Sequence, residues 1–158
     1  MNQYLSFHVA GEEYAVSILK VTEIIEGVTL THVPGTPSWI RGVLNLRGAV
    51  VPVVDLAVKF GLAPTVLTRR TCVVIVELEH DNGRLVLGMM ADSVHHVVEH
   101  RSDQIQPPPS FGRKVRVDCI EGMCENSGAS VVLLDIDRVL SSSEILAASL
   151  VDETAIAS

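Results

Sequence analysis

In RGVLNLRGAVVPVVDL, residues 41–56, two apolar runs meet at Gly48 with a single arginine, Arg47, set between them. Valine-rich runs joined at a glycine read as two β-strands and a tight turn. An arginine inside such a segment must reach solvent or find a carboxylate, because an unpaired buried charge costs more than the packing it displaces. Glu23, in the apolar run Val21-Thr22-Glu23-Ile24-Ile25, poses the mirror-image problem. The two are therefore expected to pair between neighbouring strands. If buried, the pair would cost roughly 3–5 kcal/mol to break from one side.

Outward from this stretch the chain reads as strands. Residues 4–10 and 14–18 alternate apolar and polar on either side of Gly11-Glu12-Glu13, a hairpin pattern. A strand at 21–25 precedes a turn-rich connection through Pro34, Gly35 and Pro37, which excludes a long helix. After Leu56, residues 57–62 suit a helical turn, and periodicity lapses over 63–70 as in a linker. Strands follow at 72–79 and 84–90 around Asp81-Asn82-Gly83, then at 94–99, 117–124 and 131–136. Only 142–150, with a serine cap and small helix formers, predicts a C-terminal helix.

The two halves repeat. Ile40-Arg41-Gly42-Val43 matches Ile120-Glu121-Gly122-Met123, and Val53-Val54-Asp55-Leu56 matches Leu133-Leu134-Asp135-Ile136, both 80 positions apart. Tyr14-Ala15-Val16 aligns with Leu85-Val86-Leu87, and residues 21–26 with 94–99. The pattern predicts a mainly all-β chain of two similar five-stranded barrels in tandem. One would occupy about 14–66, with a contribution from 1–13 or 142–158; the other would occupy 71–140.

The 158 residues are 47% hydrophobic but only 4% aromatic, with a net charge of −7. An acidic chain without a basic stripe does not bind a phosphate backbone, so nucleic acid is excluded as a partner. The N-terminal residues carry no secretory signal pattern, and no apolar run reaches a membrane span; a cytoplasmic protein without direct membrane insertion is expected. Cys72, Cys119 and Cys124 read as reduced core residues.

The run from Ile40 to Leu56 resembles the strongest signature of the CheW-type chemotaxis coupling proteins, and the resemblance extends over nearly the whole chain, 1–158. Supporting segments are the turn ending at Tyr14, the run from Ile18 to Ile24, the Asp103–Pro109 stretch and the apolar run ending at Leu140. The resemblance implies two SH3-like barrels, no cofactor and no catalysis. It further implies an adaptor recruited to membrane receptor arrays, linking the cytoplasmic tip of chemoreceptors to the regulatory domain of the histidine kinase CheA.

Receptor tips of that kind are helical hairpins, so their partner needs an apolar trough. Simple alternation puts Val21, Glu23 and Ile25 on one face of their strand and Thr22, Ile24 and Glu26 on the other; by the repeat, Val94 and Val97 occupy matching ground. These five line the expected receptor groove, with Glu23–Arg47 fixing its wall or touching the partner. The kinase contact is assigned to Pro34, Trp39 and Gly48, since the sole tryptophan sits beside turn residues. The alternative is that Trp39 plugs a barrel end.

A competing class is a thiol- or metal-dependent enzyme using His95, His96, Cys119 and Cys124. Adjacent strand histidines point to opposite faces, and the cysteine spacing lacks a second ligand pair, so neither makes a metal centre by itself. Asp55 and Asp135 end equivalent strands and read as turn formers. Gly42, Gly48 and Gly122 read as sites of close strand approach or bulging.

Overall fold

The computed structural model describes residues 2–27, 29–80, 83–107, 119–126, 128–141, 144–145 and 147–148. Among the described residues ten strands are formed: β1 (Asn2–Val9), β2 (Glu12–Ser17), β3 (Val21–Glu26), β4 (Ile40–Leu46), β5 (Ala49–Asp55), β6 (Cys72–His80), β7 (Gly83–Ala91), β8 (Ser93–His100), β9 (Ile120–Asn126) and β10 (Ala129–Leu134), with helix α1 at Leu56–Lys59. They make two five-stranded sheets, β8-β1-β2-β10-β9 and β3-β6-β7-β5-β4. Each sheet curls until the segment beyond one edge strand meets the other edge. Thr31, after β3, bridges Val43 on β4, and Gln106, after β8, bridges Met123 on β9. The all-β, two-barrel expectation agrees with this architecture.

The division of the chain between the barrels differs from the successive 14–66 and 71–140 expected. Residues 21–91 build one barrel without interruption, here the central barrel; β1 and β2 pair with β8, β9 and β10 in the other, the terminal barrel. The reason lies in two short connections. A 3-10 turn over Ile18–Lys20, capped by Ser17 Oγ accepting from Leu19 N, carries the chain forward instead of reversing it onto β2, and β3 pairs with β6. Asp92 alone separates β7 from β8; its N–H donates to His8 O at 2.8 Å, which delivers β8 onto β1. The sequence repeat is nonetheless kept in space, since β3, β6, β7, β5 and β4 correspond in order to β8, β1, β2, β10 and β9.

Alternation sorts the side chains into three layers. Leu5, Phe7 and Val9 of β1, Val74, Val76 and Leu78 of β6, and Val132 and Leu134 of β10 meet in a core shared between the barrels. The alternate residues fill the barrel interiors: Tyr4, Val131 and Leu133 in the terminal one, Val51, Val53, Val73 and Ile75 in the central one. Each buried aliphatic side chain contributes about 1.5–3 kcal/mol, so most of the stabilisation lies where the barrels join as well as within them. Asp137 adds a polar tie there, accepting from Glu79 N of β6 at 3.2 Å and from Lys20 at 2.9 Å.

Gly42 and Gly122 permit the barrel closures. A Cβ at Gly42 would lie 2.6 Å from Thr31 O, and one at Gly122 would lie 2.8 Å from Gln106 O. Close approach is thus the role of both, whereas Gly48 serves a turn. Leu46 and Ala49 pair directly, leaving Arg47 (φ 52°) and Gly48 (φ 87°) as a two-residue loop with both φ positive, the type I′ geometry that suits the twist of the strands. Asp55 and Asp135 are turn formers as expected: each accepts a backbone N–H two residues on, at 3.1 Å, and caps the helical turn that follows. Of the C-terminal helix, Glu144, Ile145, Ala147 and Ala148 are helical; the rest of 142–150 lies outside the described residues, as do Asp81 and Asn82 of the expected turn.

Candidate partner-binding surfaces

Arg47 and Glu23 do meet, Nη1 to Oε1 at 2.8 Å, but their side chains are 73% and 32% exposed. The pair therefore lies at the surface, and the cost of breaking a buried one does not apply to it. The two-residue turn lifts Arg47 beyond the end of its strand, and its side chain spans the seam between the edge strands β3 and β4 to reach Glu23. Exposed pairs of this kind contribute about 0.2–1 kcal/mol, so this one sets the shape and charge of the rim more than the stability of the barrel.

The face assignment along β3 also changes. The register slips between Val21, opposite Val76, and Glu23, opposite Ile75. A bulge of this kind turns every later side chain over. Val21 packs on the shared core, whereas Ile25 packs into the central barrel. Ile24, opposite Val74 of the shared core and 40% exposed, takes the place expected of Ile25. On β8, Val94 opposes Phe7 and Val97 opposes Leu5, both residues of the shared core. Val97 remains 46% exposed. Edge strands β3 and β8, equivalent by the internal repeat, thus each present a half-covered aliphatic residue beside the joint between the barrels.

Trp39 is half-buried at the seam between the shared core and the Ile40–Val43 cluster. Its carbonyl accepts from Asp55 N at 2.8 Å, and Lys59 Nζ lies 5.2 Å above its ring, a cation–π distance. Lys59 in turn pairs with Glu144 of the C-terminal helix, whose carboxylate also accepts from Ser141 N at 2.8 Å. Burial opposes ionisation of Glu144, but its bonds from Lys59 and Ser141 outweigh that and hold its carboxyl below the ordinary value. Trp39 therefore fastens the C-terminal helix to the barrel rather than standing free. Pro34 and Gly48 are exposed turn residues.

One surface escaped sequence reading. The loop at 63–70, expected as a linker, is anchored by a buried carboxylate. Asp55, fully buried, accepts from Arg41 Nη1 at 2.9 Å, Thr65 N at 3.0 Å and Thr65 Oγ1 at 2.9 Å, while Arg41 also donates to Thr65 O at 2.7 Å. Beyond this pin Val66 and Leu67 are 75% and 50% exposed. Two adjacent aliphatic residues in a stretch without strand or helix periodicity were the available signal.

At the position equivalent to Arg41, the terminal barrel carries Glu121 instead. Burial, and next the Asp135 carboxylate, push the Glu121 carboxyl above its ordinary value. A cleft of about 500 Å³ lies at the mouth of the terminal barrel between Glu99, His100, Gln106 and Cys124. Burial first, and then Glu26 beside Cys72 and Glu13 beside Cys124, raises both thiols above the ordinary cysteine value. Thiols so held are poor nucleophiles. Cys119 is buried as well. Of the enzyme reading's two cysteines, Cys124 is thereby disfavoured as a nucleophile, and among the described residues no three His, Cys, Asp or Glu side chains are grouped to hold a metal ion.

A model of the CheW-like domain matches residues 3–144. Among curated proteins, the chain is 35% identical over 153 residues to the chemotaxis protein CheW of Klebsiella aerogenes, covering 97% of this chain and 88% of that protein. It is 30% identical over 134 residues to chemotaxis protein CheW of Bacillus subtilis, covering 85% and 83% respectively. The crystal structure of the scaffolding protein TtCheW from Thermoanaerobacter tengcongensis superposes with a TM-score of 0.79 at 26% identity, covering 90% of each chain.

Proposed function

This chain belongs to the CheW-like family, a non-catalytic family of chemotaxis scaffolds, and on that premise we propose that it couples chemoreceptors to the histidine kinase CheA as an adaptor. It works in the cytoplasm and is recruited to receptor arrays by its partners; no helix of the described residues is long and apolar enough to cross a membrane.

The observation that carries this reading is the pair of half-exposed aliphatic residues on equivalent edge strands, Ile24 on β3 and Val97 on β8. A helical receptor tip is recognised by apolar contacts at helical spacing. Val21, Ile24, Val94 and Val97 supply branched, conformationally stiff side chains for such contacts, with Glu23 and Arg47 as a charged rim. The kinase's regulatory domain takes a separate surface around Pro34, Gly48 and the seam that Trp39 seals.

The test is co-elution of the full chain with the receptor cytoplasmic tip and with the CheA regulatory domain, separately and together. A ternary complex is expected. Val97→Asp and Ile24→Asp should weaken receptor binding at least tenfold with the kinase interaction intact. Absence of binding to both cognate partners would overturn the adaptor reading; equal loss toward both would overturn the division of surfaces.

A further inference from the structure

The sequence shows His95 and His96 as neighbours on one strand, unable to share a ligand. The fold supplies a different partner. His8, on β1, brings Nδ1 into direct contact with His95 Nε2, with ring centroids 4.2 Å apart and the planes at 68°. The His96 ring stands perpendicular to that of His95, with centroids 6.4 Å apart. The placement follows from the register. His8 opposes Ser93 and Phe7 opposes Val94, but Leu5 already opposes Val97, so β8 carries an extra residue at His95-His96. This irregularity sits beside a strand end that is firmly held: Asp92 N donates to His8 O at 2.8 Å, and Asp92 Oδ2 accepts from Ala10 N at 2.9 Å.

We propose that His8 and His95 form a two-histidine, cross-strand site for a divalent transition-metal ion of the zinc class. In a pair of neutral rings one facing nitrogen donates its N–H to the lone pair of the other. On metal binding that proton moves through solvent to the far nitrogen of its own ring, so both facing nitrogens donate lone pairs to the ion, and imidazole suits zinc, nickel and copper. Bonds of about 2.0–2.1 Å at a tetrahedral angle need the nitrogens about 3.3 Å apart, which the half-buried His8 and exposed His95 reach by a small rotation of their rings. Ser93 Oγ lies 3.3 Å from His95 Nε2, and Glu13 sits directly across β2 from His8 with its carboxylate accepting from Ser6 Oγ at 2.7 Å. Water completes the coordination. With two protein ligands the ion is held reversibly, as a brace between β1 and the edge strand that carries Val94 and Val97.

The experiment uses full-length, tag-free protein titrated with zinc alone in a non-chelating buffer, followed calorimetrically and by nitrogen-detected histidine NMR. One ion per chain is expected, with the His8 Nδ1 and His95 Nε2 resonances shifting and a rise in Tm that EDTA reverses. His8→Ala or His95→Ala should weaken binding at least tenfold; His96→Ala should not. The proposal is overturned by absence of binding at millimolar zinc, by binding that survives the His8→Ala/His95→Ala double variant, or by loss of binding in His96→Ala. The NMR shifts in the unaltered protein decide the matter even if a variant folds poorly.

Discussion

Arg47→Gly separates the contribution of the rim pair to folding from its contribution to recognition. The substitution removes an ion pair whose members are 73% and 32% exposed, a loss of about 0.2–1 kcal/mol. It also relieves the left-handed backbone at φ 52°, which costs a residue with a Cβ about 1–2 kcal/mol. Glycine gives back about 0.4–1 kcal/mol through the greater freedom of the unfolded chain. The three terms nearly cancel, so the net change is within about 1 kcal/mol, or about 2–4 °C in Tm for a chain near this size. Arg47→Ala keeps the strain and loses the pair, and should melt slightly below Arg47→Gly. Thermal melts of both variants, with Glu23→Gln to close a double-mutant cycle, measure these terms, and a receptor-tip titration of the same samples reads recognition. A fall in Tm of more than about 8 °C in Arg47→Gly would mean about 3 kcal/mol. That result would refute the surface-pair reasoning and restore the buried pair.

The barrel closures are tested by Gly42→Ala, which forces a Cβ against Thr31 O and should cost about 1–3 kcal/mol; amide exchange at Thr31 and Val43 should rise sharply, and unchanged protection would count against the closure. Asp55→Asn leaves Arg41 without its carboxylate and should cost about 3–5 kcal/mol by chemical denaturation. Asp135→Asn should cost much less, because among the described residues the Asp135 carboxylate accepts from Asp137 N and pairs with a largely exposed Arg138 at 3.5 Å, and it presses against Glu121. The two carboxyls with shifted titration predict opposite pH effects. The folded-state value of Glu144 is depressed, so its stabilisation is present above the unfolded value and is lost as pH falls through the folded one. That of Glu121 is raised, so its ionisation opposes folding as pH rises, and Glu121→Gln should raise Tm at neutral pH while Glu144→Gln lowers it. Melts of both variants across the acidic range check the signs.

How much of this was legible in the chain depends on the range of the interaction. Strand identity, the repeat and the roles of Asp55, Asp135, Gly42 and Gly122 follow from local alternation and from a constant offset of 80 positions. Strand partnership does not, because β3 reads alike whether it lies on β2 or on β6; only the short turn at 18–20, which fails to reverse the chain, selects the latter. The bulge after Val21 is a shift of one residue, invisible to alternation yet sufficient to exchange Ile24 for Ile25. Whether Arg47 is buried or exposed stayed open because valines follow it, although Arg-Gly between two apolar runs is also the signature of a two-residue turn. The loop at 63–70 lost its periodicity because Asp55, ten residues upstream of Thr65, fixes it by hydrogen bonds and not by packing.

The uninterrupted course of the central barrel from 21 to 91 has a consequence for biosynthesis. A chain emerging from the ribosome completes that barrel while β1 and β2 still wait for β8, β9 and β10. At about 5–20 residues per second, the opening hairpin, with Leu5, Phe7 and Val9 uncovered on one side, stays without its permanent neighbours for several seconds. Nascent-chain chaperones would have their opportunity in that interval.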